Sequence, residues 1–418
     1  MTRRPLPESL CVRPAARSAP IEVAAPVVRG SPAYWRISVA LFAAGFATFS
    51  LLYCVQPLLP MFADEFGIGA AQSSLALSVS TGSLALSIFV VGAFSDRFRR
   101  RHLMFVSIAL AAAFNLLAAA LPTWNGILAA RALEGLALGG VPAVAMAYLA
   151  EEIHPNALGL AMGVYVGGTA FGGMVGRVGM SVMSELFSWR SAMLTIGAID
   201  LAVAVLFAAL LPASRRFVAR STLNFVEQAA LWRRHLADNR MRMLFAVGCL
   251  IMGVFVSVYN YAAFRLMAPP FALSAAQTGL IFGAYVFGIV SSSSAGALAD
   301  RVGRGPVLLC GTLLTAAGLA CSLAGELALV IVGIVTLTIG FFVTHAVASG
   351  WVGHCARVGR SHASALYLLA YYLGSSILGS ASGWCWQTAG WTGVASFCAV
   401  LLTLCIIIAI LLHRLSER

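Results

Sequence analysis

The chain carries GAFSDRFRRR at residues 92–101 and GALADRVGR at residues 296–304. In each copy a long apolar run ends in Gly, and an Asp-Arg pair follows four residues later. Asp96 and Asp300 lie 204 positions apart. A repeated loop of this kind indicates that the chain is built from two copies of one unit.

Other residues repeat in the same order at nearly the same spacing. Gln72 stands before the second apolar run, and Gln277 stands at the matching place 205 positions later. Three further pairs are each 202 positions apart: Tyr165 with Tyr367, Gly172 with Gly374, and Trp189 with Trp391. Chance does not produce such a series in order. Parallel repeats with a site between the two halves are typical of secondary transporters.

The composition places the chain in a membrane. Of its 418 residues 60% are hydrophobic and 10% are charged, and the mean hydropathy is +0.91. Soluble domains are about 25% charged, and a soluble protein has no way to hide so much apolar surface. The apolar runs are long and unbroken, as helical spans of about 20 residues require, and do not alternate as β-barrel strands do. We therefore predict an all-α integral membrane protein with twelve transmembrane helices in two pseudo-symmetric six-helix bundles.

The order of polar and apolar segments predicts five regions. Six apolar runs precede a long polar loop and six follow it. Residues 223–235 of this loop have apolar side chains at helical spacing beside Arg, which indicates an amphipathic helix at the inner membrane surface or a packing linker. The predicted regions are a disordered cytoplasmic N-terminal tail (1–35), an N-terminal six-helix bundle (36–211), a cytoplasmic linker (212–240), a C-terminal six-helix bundle (241–413) and a cytoplasmic C-terminal tail (414–418).

The basic residues predict the orientation in the membrane. All 27 are Arg, and the net charge is +12, which in a soluble protein would indicate nucleic acid. If the chain crosses the membrane twelve times, 23 of the 27 Arg lie on the same side of the membrane as the N-terminus. Because cytoplasmic loops are rich in Arg and Lys, we predict a multi-pass protein of the bacterial inner membrane with both termini cytoplasmic. The lipid bilayer, and no nucleic acid, is then the expected partner.

The sequence contains no pattern for an enzyme. The nine Cys are scattered without a C-x-x-C pair, and there is no metal-ligand cluster, nucleotide-binding loop or nucleophile–base motif. We therefore expect no catalysis, no metal and no cofactor. Active transport by such a chain must draw on an ion gradient. The expected partners are a small-molecule substrate and protons or another coupling ion.

The repeated loop resembles the signature loop of the major facilitator superfamily, which in that family latches the cytoplasmic side of the carrier. A carboxylate at a helix end can pair with Arg and with a helix N-terminus, as a latch requires; the alternative is that these Arg only anchor the topology. Arg99 stands where the family has a second Gly. The matching residues are Gly92, Asp96, Arg97, Arg100 and Arg101 in the first copy, and Gly296, Asp300, Arg301 and Arg304 in the second.

The fourth and fifth apolar runs also resemble this superfamily. Arg131, Gly135 and Gly139 match its Arg-x-x-x-Gly-x-x-x-Gly element, and their spacing puts them on one helix face, where Gly permits close approach. The glycine-rich fifth run, ending at Arg177, resembles the element of the superfamily's exporters without its Pro. Together they resemble the YnfM-type branch of inner-membrane carriers, grouped with drug and metabolite exporters. Tight packing is the alternative reason for the Gly residues.

Three ionisable residues within the spans are candidates for proton coupling: Arg131, Glu134 and Arg177. Such residues are costly in a membrane and usually functional. We hypothesise that Glu134 pairs with one of the two Arg and exchanges a proton when substrate displaces that partner; the alternative is a fixed structural ion pair. Asp200 lies in the sixth run, which is peripheral in the family, so we expect a local partner or a lipid-side position for it.

The family fold implies a central cavity lined by helices 1, 4, 7 and 10, with helices 2, 5, 8 and 11 beside them. An aromatic cavity with few charges suits a hydrophobic or amphipathic ligand, while Tyr in interfacial belts is the alternative. For His345 a hydrogen-bonded core position is the alternative. The cavity candidates are Tyr53, Gln56, Tyr165, Tyr259, Asn260, Tyr261, Tyr285, His345, Tyr367 and Tyr371.

These features predict a secondary active transporter that exports a small organic molecule, coupled to protons, by alternating access. Two bundles would rock about a site near the middle of the membrane. A monomer is sufficient for this arrangement. The alternatives are a proton-coupled uptake symporter for a metabolite and a receptor that uses a carrier fold without transport.

Overall fold

The computed structural model describes residues 25–94, 99–214, 225–356 and 358–416. Eleven helices within these ranges are long and apolar enough to cross a membrane. The first ten are α1 (Pro32–Phe66), α2 (Ala70–Gly92), α3 (Arg100–Ala120), α4 (Trp124–Glu152), α5 (Pro155–Leu186), α6 (Trp189–Leu210), α7 (Asn239–Met267), α8 (Ala275–Val302), α9 (Arg304–Cys321) and α10 (Leu327–Cys355).

The eleventh helix contains two spans. It runs from Arg360 to Leu415, a length of 56 residues, which is more than twice what one crossing needs. Ala389 and Gly390 depart from helical geometry within it, and Gly390 has a φ of +56°, which Gly adopts without strain. This break divides the helix into α11 (360–388) and α12 (391–415). The predicted twelve transmembrane helices are therefore confirmed.

Polar caps determine where several spans begin. The Ser31 hydroxyl accepts a hydrogen bond from the Tyr34 backbone N–H at the start of α1, and Thr123 and Ser188 cap α4 and α6 in the same way. The Asp238 carboxylate accepts from two backbone N–H groups at the start of α7. The first N–H groups of a helix lack partners within the helix, so these caps satisfy them at the edge of each apolar span.

The twelve spans form two bundles of six, α1–α6 and α7–α12, with equivalent contacts. In the first bundle α1 packs on α5, and a Cβ added to Gly172 would overlap the Phe46 carbonyl oxygen. In the second bundle α7 packs on α11, and a Cβ added to Gly374 would overlap the Cys249 carbonyl oxygen. The two Gly that repeat in the sequence therefore make the same close approach between helix backbones.

A helix between the two bundles, Phe225–Ala237, contacts both of them. Its Trp232 ring centroid lies 4.4 Å from that of Phe89 on α2. Its His235 Nε2 lies 3.3 Å from the Gly359 carbonyl oxygen, just before α11. We call this segment the linker helix and the end of the bundles where it lies the linker side. The opposite end is the far side.

Side-chain hydrogen bonds join the bundles towards the far side. The Ser376 hydroxyl donates to the Ser78 carbonyl oxygen at 2.7 Å, and the Ser380 hydroxyl donates to the Ser78 hydroxyl at 2.6 Å. The Ala276 backbone N–H donates to Glu185 Oε2 at 2.6 Å. These contacts connect α2 with α11 and α5 with α8, so the bundles are held together at the end away from the linker helix.

Candidate transport site

Arg131 on α4 lies wholly inside the first bundle, with an exposed fraction of 0%. Its Nε donates to the Ala76 carbonyl oxygen at 3.1 Å. Its Nη1 and Nη2 donate to the carbonyl oxygens of Leu51 and Leu52 at 3.1 and 2.7 Å. These carbonyls can accept because the first span changes there from an α-helix to a 3-10 turn at Gln56–Leu58. A broken helix inside the protein thus provides the acceptors that a buried guanidinium requires.

Glu134 lies one turn along α4 and forms an ion pair with Arg131. Its Oε2 accepts from Arg131 Nη1 at 2.5 Å, and both side chains are fully buried. The other oxygen, Oε1, has no hydrogen-bond partner among the residues that the structure describes. Of the two Arg considered from the sequence, Glu134 therefore pairs with Arg131. A proton can join Oε1 while Oε2 still accepts from the guanidinium.

The glycines that follow Arg131 on α4 bring α2 close. A Cβ added to Gly135 would overlap the Ser80 carbonyl oxygen, and one added to Gly139 would overlap the Ser87 side chain. The Ser80 hydroxyl donates to the Arg131 carbonyl oxygen at 2.9 Å. The spacing of four thus produces the close helix approach expected from the sequence, and it holds the Arg131 backbone against α2.

Arg177 lies in the far-side half of α5 and is 2% exposed. Its Nε donates to Gln56 Oε1 at 2.6 Å, and its Nη1 donates to the Gly173 carbonyl oxygen at 2.7 Å. Gln56 Nε2 in turn donates to Asn260 Oδ1 on α7 at 2.7 Å. This chain of three side chains connects the two bundles in their buried interior.

Aromatic rings from both bundles surround the Arg177 guanidinium. Its central carbon lies 4.1 Å from the ring centroid of Tyr53 on α1 and 4.9 Å from that of Tyr285 on α8. Phe282 is a third neighbour at 5.2 Å, and it was not a candidate from the sequence. It precedes Tyr285 by three residues, so helical spacing alone places the two rings on one face and could have identified it.

A second polar and aromatic cluster lies in the second bundle. His345 Nδ1 and the Tyr367 hydroxyl are 3.0 Å apart, and the Tyr371 ring lies 4.5 Å from the imidazole, between centroids. His345 thus has the hydrogen bond that the alternative considered from the sequence requires, and its substrate role stays a prediction. Two further rings connect this cluster to those around Arg177. The Phe341 ring lies 6.4 Å from that of Tyr371 and 3.7 Å from that of Phe255, which lies 5.6 Å from that of Tyr285, all between centroids.

Three other cavity candidates are packed in the helix core, and one of them, Tyr259, adjoins the rings around Arg177: its ring centroid lies 5.3 Å from that of Phe282 and 5.6 Å from that of Tyr285. The Tyr259 hydroxyl and Thr338 Oγ1 share a hydrogen bond of 2.7 Å, and the Tyr261 hydroxyl donates to the Gly379 carbonyl oxygen at 3.3 Å. Tyr165 is buried in the apolar core of the first bundle. The sequence could not separate these positions from Tyr53 and Tyr285, because all five lie on helices that border the cavity in the family fold.

The first copy of the repeated loop lies on the linker side and is described in part. Asp96 and Arg97 lie outside the described residues, so their proposed latch role stays a prediction. Arg100 makes a two-pronged pair with Glu151 at the end of α4, with Nη2–Oε1 at 2.5 Å and Nε–Oε2 at 2.8 Å. Arg101 Nη2 donates to a carbonyl oxygen of α6. These two Arg therefore tie the loop to its own bundle.

The second copy has a different backbone from the first. Gly303 ends α8 with a φ of +94°, which favours Gly, whereas Arg99 at the equivalent place has a φ of −62°. Arg304 Nη2 lies 3.7 Å from Asp300 Oδ1 in a largely exposed pair. The remaining members of the motif lie at the linker-side ends of α2 and α8: Gly92, Gly296 and Arg301.

Asp200 on α6 lies inside the first bundle, with an exposed fraction of 0%. Neither carboxyl oxygen has a hydrogen bond of good geometry in the described part of the chain, and the Ser50 hydroxyl is a donor within reach. Its polar neighbours are Ser50 on α1 and Glu134 on α4. The lipid-side position considered from the sequence is therefore wrong. The position of Asp200 in the sequence indicates its depth in the membrane. It does not indicate whether the face of α6 that carries Asp200 points towards the bundle or towards lipid.

An outer groove with a volume of about 530 Å³ lies on the second bundle alone. Helices α8, α9 and α10 line it, with Ser294, Arg301 and Cys310 among the polar side chains. The described residues that line this groove all belong to the second bundle. It is therefore separate from the space between the bundles, where a carrier that alternates between two sides binds its substrate.

Comparison with known proteins agrees with this architecture. The sequence model of the Major Facilitator Superfamily matches residues 37–267 and 243–418. The chain belongs to the major facilitator superfamily. The inner membrane transport protein YnfM of Escherichia coli is 42% identical to this superfamily member over 93% of each chain. The MFS-type transporter YybF of Bacillus subtilis is 40% identical, over 90% of this chain and 92% of YybF.

A solved structure of another transporter shares the fold of this superfamily member. The inward-facing, occupied form of a bacterial homologue of the human lysosomal transporter Spinster has a TM-score of 0.72 at 13% identity. The match covers 93% of this chain and 97% of that one. At this identity the likeness concerns the fold alone. Family, relatives and fold together make the chain a multi-pass membrane transporter for a small molecule.

Proposed function

We propose that this superfamily transporter uses the proton gradient to export a small organic molecule by alternating access. One observation carries the proposal: the Arg131–Glu134 ion pair is buried in the first bundle, and one carboxyl oxygen has no hydrogen-bond partner among the described residues. Ionisable groups inside a membrane protein are costly and usually functional. Glu134 can take a proton at a place where its partner Arg131 binds the backbone of α1. Such a carboxyl group is suited to coupling proton transfer to transport.

The pair acts on the segment of α1 that also faces the substrate space. Arg131 holds the carbonyl oxygens of Leu51 and Leu52, and Gln56 follows within the next turn. A proton on Glu134 removes the negative charge from the pair but leaves the guanidinium on these carbonyls. The strength of the hydrogen bonds from Arg131 on α4 to the carbonyl oxygens on α1 then changes, because the charge beside the guanidinium has changed. The proton is thereby linked to the hydrogen-bond chain that joins the two bundles.

The far-side contacts suit a reversible closure. The bonds between Ser78, Ser376 and Ser380 are neutral, and each such bond contributes about 0.5–1.5 kcal/mol. Breaking them therefore demands a modest free energy. On the linker side, the Arg-rich repeated loops are the proposed latch that closes when the far side opens.

The proposal also includes the orientation of the protein in the membrane, the roles of its regions and the direction of transport. The regions 36–211 and 241–413 are the two moving bundles of a monomer in a bacterial inner membrane, and 1–35, 212–240 and 414–418 are cytoplasmic. The Arg-rich linker side supports this orientation, because cytoplasmic loops carry excess Arg. The glycine-rich run on α5, which resembles that of exporters, supports efflux.

The test uses purified protein in liposomes with an enclosed pH-sensitive dye and an imposed pH gradient. Candidate compounds are screened for compound-dependent proton movement in wild type and in Glu134→Gln. Glu326→Gln, an exposed acid at the start of α10, is the matched control.

Each outcome bears on one part of the proposal. Proton movement opposite to the compound, lost in Glu134→Gln and kept in Glu326→Gln, supports coupled efflux through Glu134. Movement of both in the same direction supports an uptake symporter instead. Movement that is unchanged in Glu134→Gln places coupling elsewhere, with Asp200 and His345 the next candidates. Compound movement without protons contradicts proton coupling.

A further inference from the structure

Arg177 is a buried cation with no counter-charge beside it among the residues that the structure describes. It is 2% exposed, and no Asp or Glu of the described ranges lies within 4.0 Å of its guanidinium. Its partners are a neutral amide, a carbonyl oxygen of its own helix, the neutral Tyr285 hydroxyl and aromatic rings. Burying a charge is unfavourable unless an opposite charge accompanies it, and neutral partners compensate only in part.

Arg131 is the internal comparison. It lies in the same bundle and is equally buried, but Glu134 supplies a carboxylate one turn away and backbone carbonyls take its remaining donors. Arg131 therefore has the partners expected of a structural or coupling residue. Arg177 lacks the anionic partner, and unlike Arg131 it lies where the two bundles meet.

The hydrogen-bond chain from Arg177 offers donors and no acceptor at its ends. A guanidinium can only donate, so Gln56 must turn Oε1 towards it and Nε2 towards Asn260. Asn260 must then accept through Oδ1, which leaves its Nδ2 buried without an acceptor in the part of the chain that the structure describes. The orientation of both amides thus follows from Arg177. This row of hydrogen-bonded side chains has a positive charge at Arg177 and, within the described residues, a free N–H donor at Asn260. Both ends can therefore donate to a bound anion, which supplies the missing acceptors.

We propose that Arg177 binds the carboxylate of an organic monoanion with an apolar body, and that this anion is the transported molecule. The inference rests on the proposed transport function and specifies its substrate class. The carboxylate takes the Nε edge of the guanidinium, where Gln56 now lies at 2.6 Å. It displaces a neutral acceptor because charge-assisted bonds are stronger and the Arg fork matches a carboxylate.

The surroundings define the anion further. One uncompensated guanidinium neutralises one negative charge, so a phosphate or dicarboxylate dianion would leave a charge unpaired in a dry site. Tyr53, Phe282 and Tyr285 supply apolar ring surface from both bundles. Displacement of Gln56 also disturbs its bond to Asn260, so anion binding acts directly on a contact between the bundles.

The test measures binding to the full chain in nanodiscs without any ion gradient. Three matched sets of probes are used, each with a carboxylate, its neutral amide and the corresponding amine: hexanoate, phenylbutyrate and indole-acetate with their counterparts. Wild type is compared with Arg177→Gln, Arg177→Lys and Arg242→Gln, an exposed Arg at the linker-side start of α7. Size-exclusion profiles and thermal unfolding establish that each variant is folded.

We expect at least one carboxylate to bind wild type tenfold or more tightly than its amide and amine. Arg177→Gln should lose this preference, Arg177→Lys should keep part of it, and Arg242→Gln should keep all of it. The proposal is overturned if no carboxylate in the three sets binds wild type, if an amide or amine binds as tightly, or if folded Arg177→Gln keeps the preference.

This binding test and the liposome assay together separate this inference from the proposed function. Carboxylate binding that depends on Arg177, without proton movement in liposomes, leaves the substrate class standing and contradicts proton coupling. Proton-coupled movement of a neutral or cationic compound has the opposite meaning. It supports coupled transport and overturns the proposal that the transported molecule is an anion.

Discussion

Gln56 and Asn260 are 204 residues apart, and their side-chain amides hydrogen-bond to each other at 2.7 Å. The same spacing separates Asp96 from Asp300 in the repeated loops. The two amides therefore occupy equivalent positions of the two bundles. Residues related by a repeat can touch only near the axis that relates the halves, so this bond lies close to that axis.

The amide pair is expected to show direct coupling. Gln56→Leu and Asn260→Leu should each lower the free energy of unfolding, with the larger effect for Gln56→Leu because it also leaves Arg177 Nε without an acceptor. The double variant should lose less than the sum, with a coupling of about 0.6 to 1.7 kcal/mol. Unfolding in mixed micelles measures all four proteins, and strictly additive losses would contradict the bond.

The Arg131–Glu134 pair predicts different costs for two substitutions of one residue. Glu134→Leu should lower the free energy of unfolding by about 3–5 kcal/mol, since it leaves a buried cation unpaired. Glu134→Gln should cost distinctly less, because Gln keeps an oxygen that accepts from Arg131 Nη1. Chemical unfolding compares the two, and equal losses would mean that the contact does not hold α4 in place.

Close packing between α1 and α5 makes one glycine sensitive and another tolerant. A methyl group on Gly172 would overlap the Phe46 carbonyl oxygen, so Gly172→Ala should destabilise the protein by about 1–3 kcal/mol. Gly163 lies on the same helix, no atom of the described residues lies within 4 Å of a Cβ added there, and Gly163→Ala should be tolerated. The thermal unfolding midpoints of the two variants provide the comparison. Similar midpoints would argue against the close approach.

Backbone conformation makes a similar distinction in the second repeated loop. Gly303 has a φ of +94°, and a side chain there is strained whatever space it has, so Gly303→Ala should cost about 1–3 kcal/mol. Gly296 lies two turns earlier on α8, in open space and without a positive φ, and Gly296→Ala is the control. The measurement is again the free energy of unfolding, and the prediction is wrong if Gly303→Ala matches Gly296→Ala.

The lengths of the apolar runs and the repeated motifs predicted the fold, because both depend only on where residues stand along the sequence. They predicted twelve spans, and the spacing of Arg131, Gly135 and Gly139 predicted one close-packed face. The rotation of each helix about its axis is set by packing, which no single sequence reports. For that reason Asp200 was allowed a lipid-side position, although it is enclosed.

Other features of the site also depend on three-dimensional contact. The change from α-helix to 3-10 turn in α1, which provides acceptors for Arg131, has Pro57 as its visible sequence signal. Gln56 and Asn260 were both candidates, and their offset of 204 matches that of the repeated Asp residues. The offset could have indicated that the two meet, but only the structure shows that Arg177 orients them.

The uncompensated charge of Arg177 has an electrical consequence. An elementary charge that crosses the whole membrane potential gains or loses about 2.3 kcal/mol per 100 mV. With a monoanion bound to Arg177 the site carries no net charge, and its reorientation is insensitive to voltage. The empty carrier keeps the positive charge of a residue that is 2% exposed. The membrane voltage would therefore act on the return of the empty carrier, and current recordings would detect that step as a transient charge displacement.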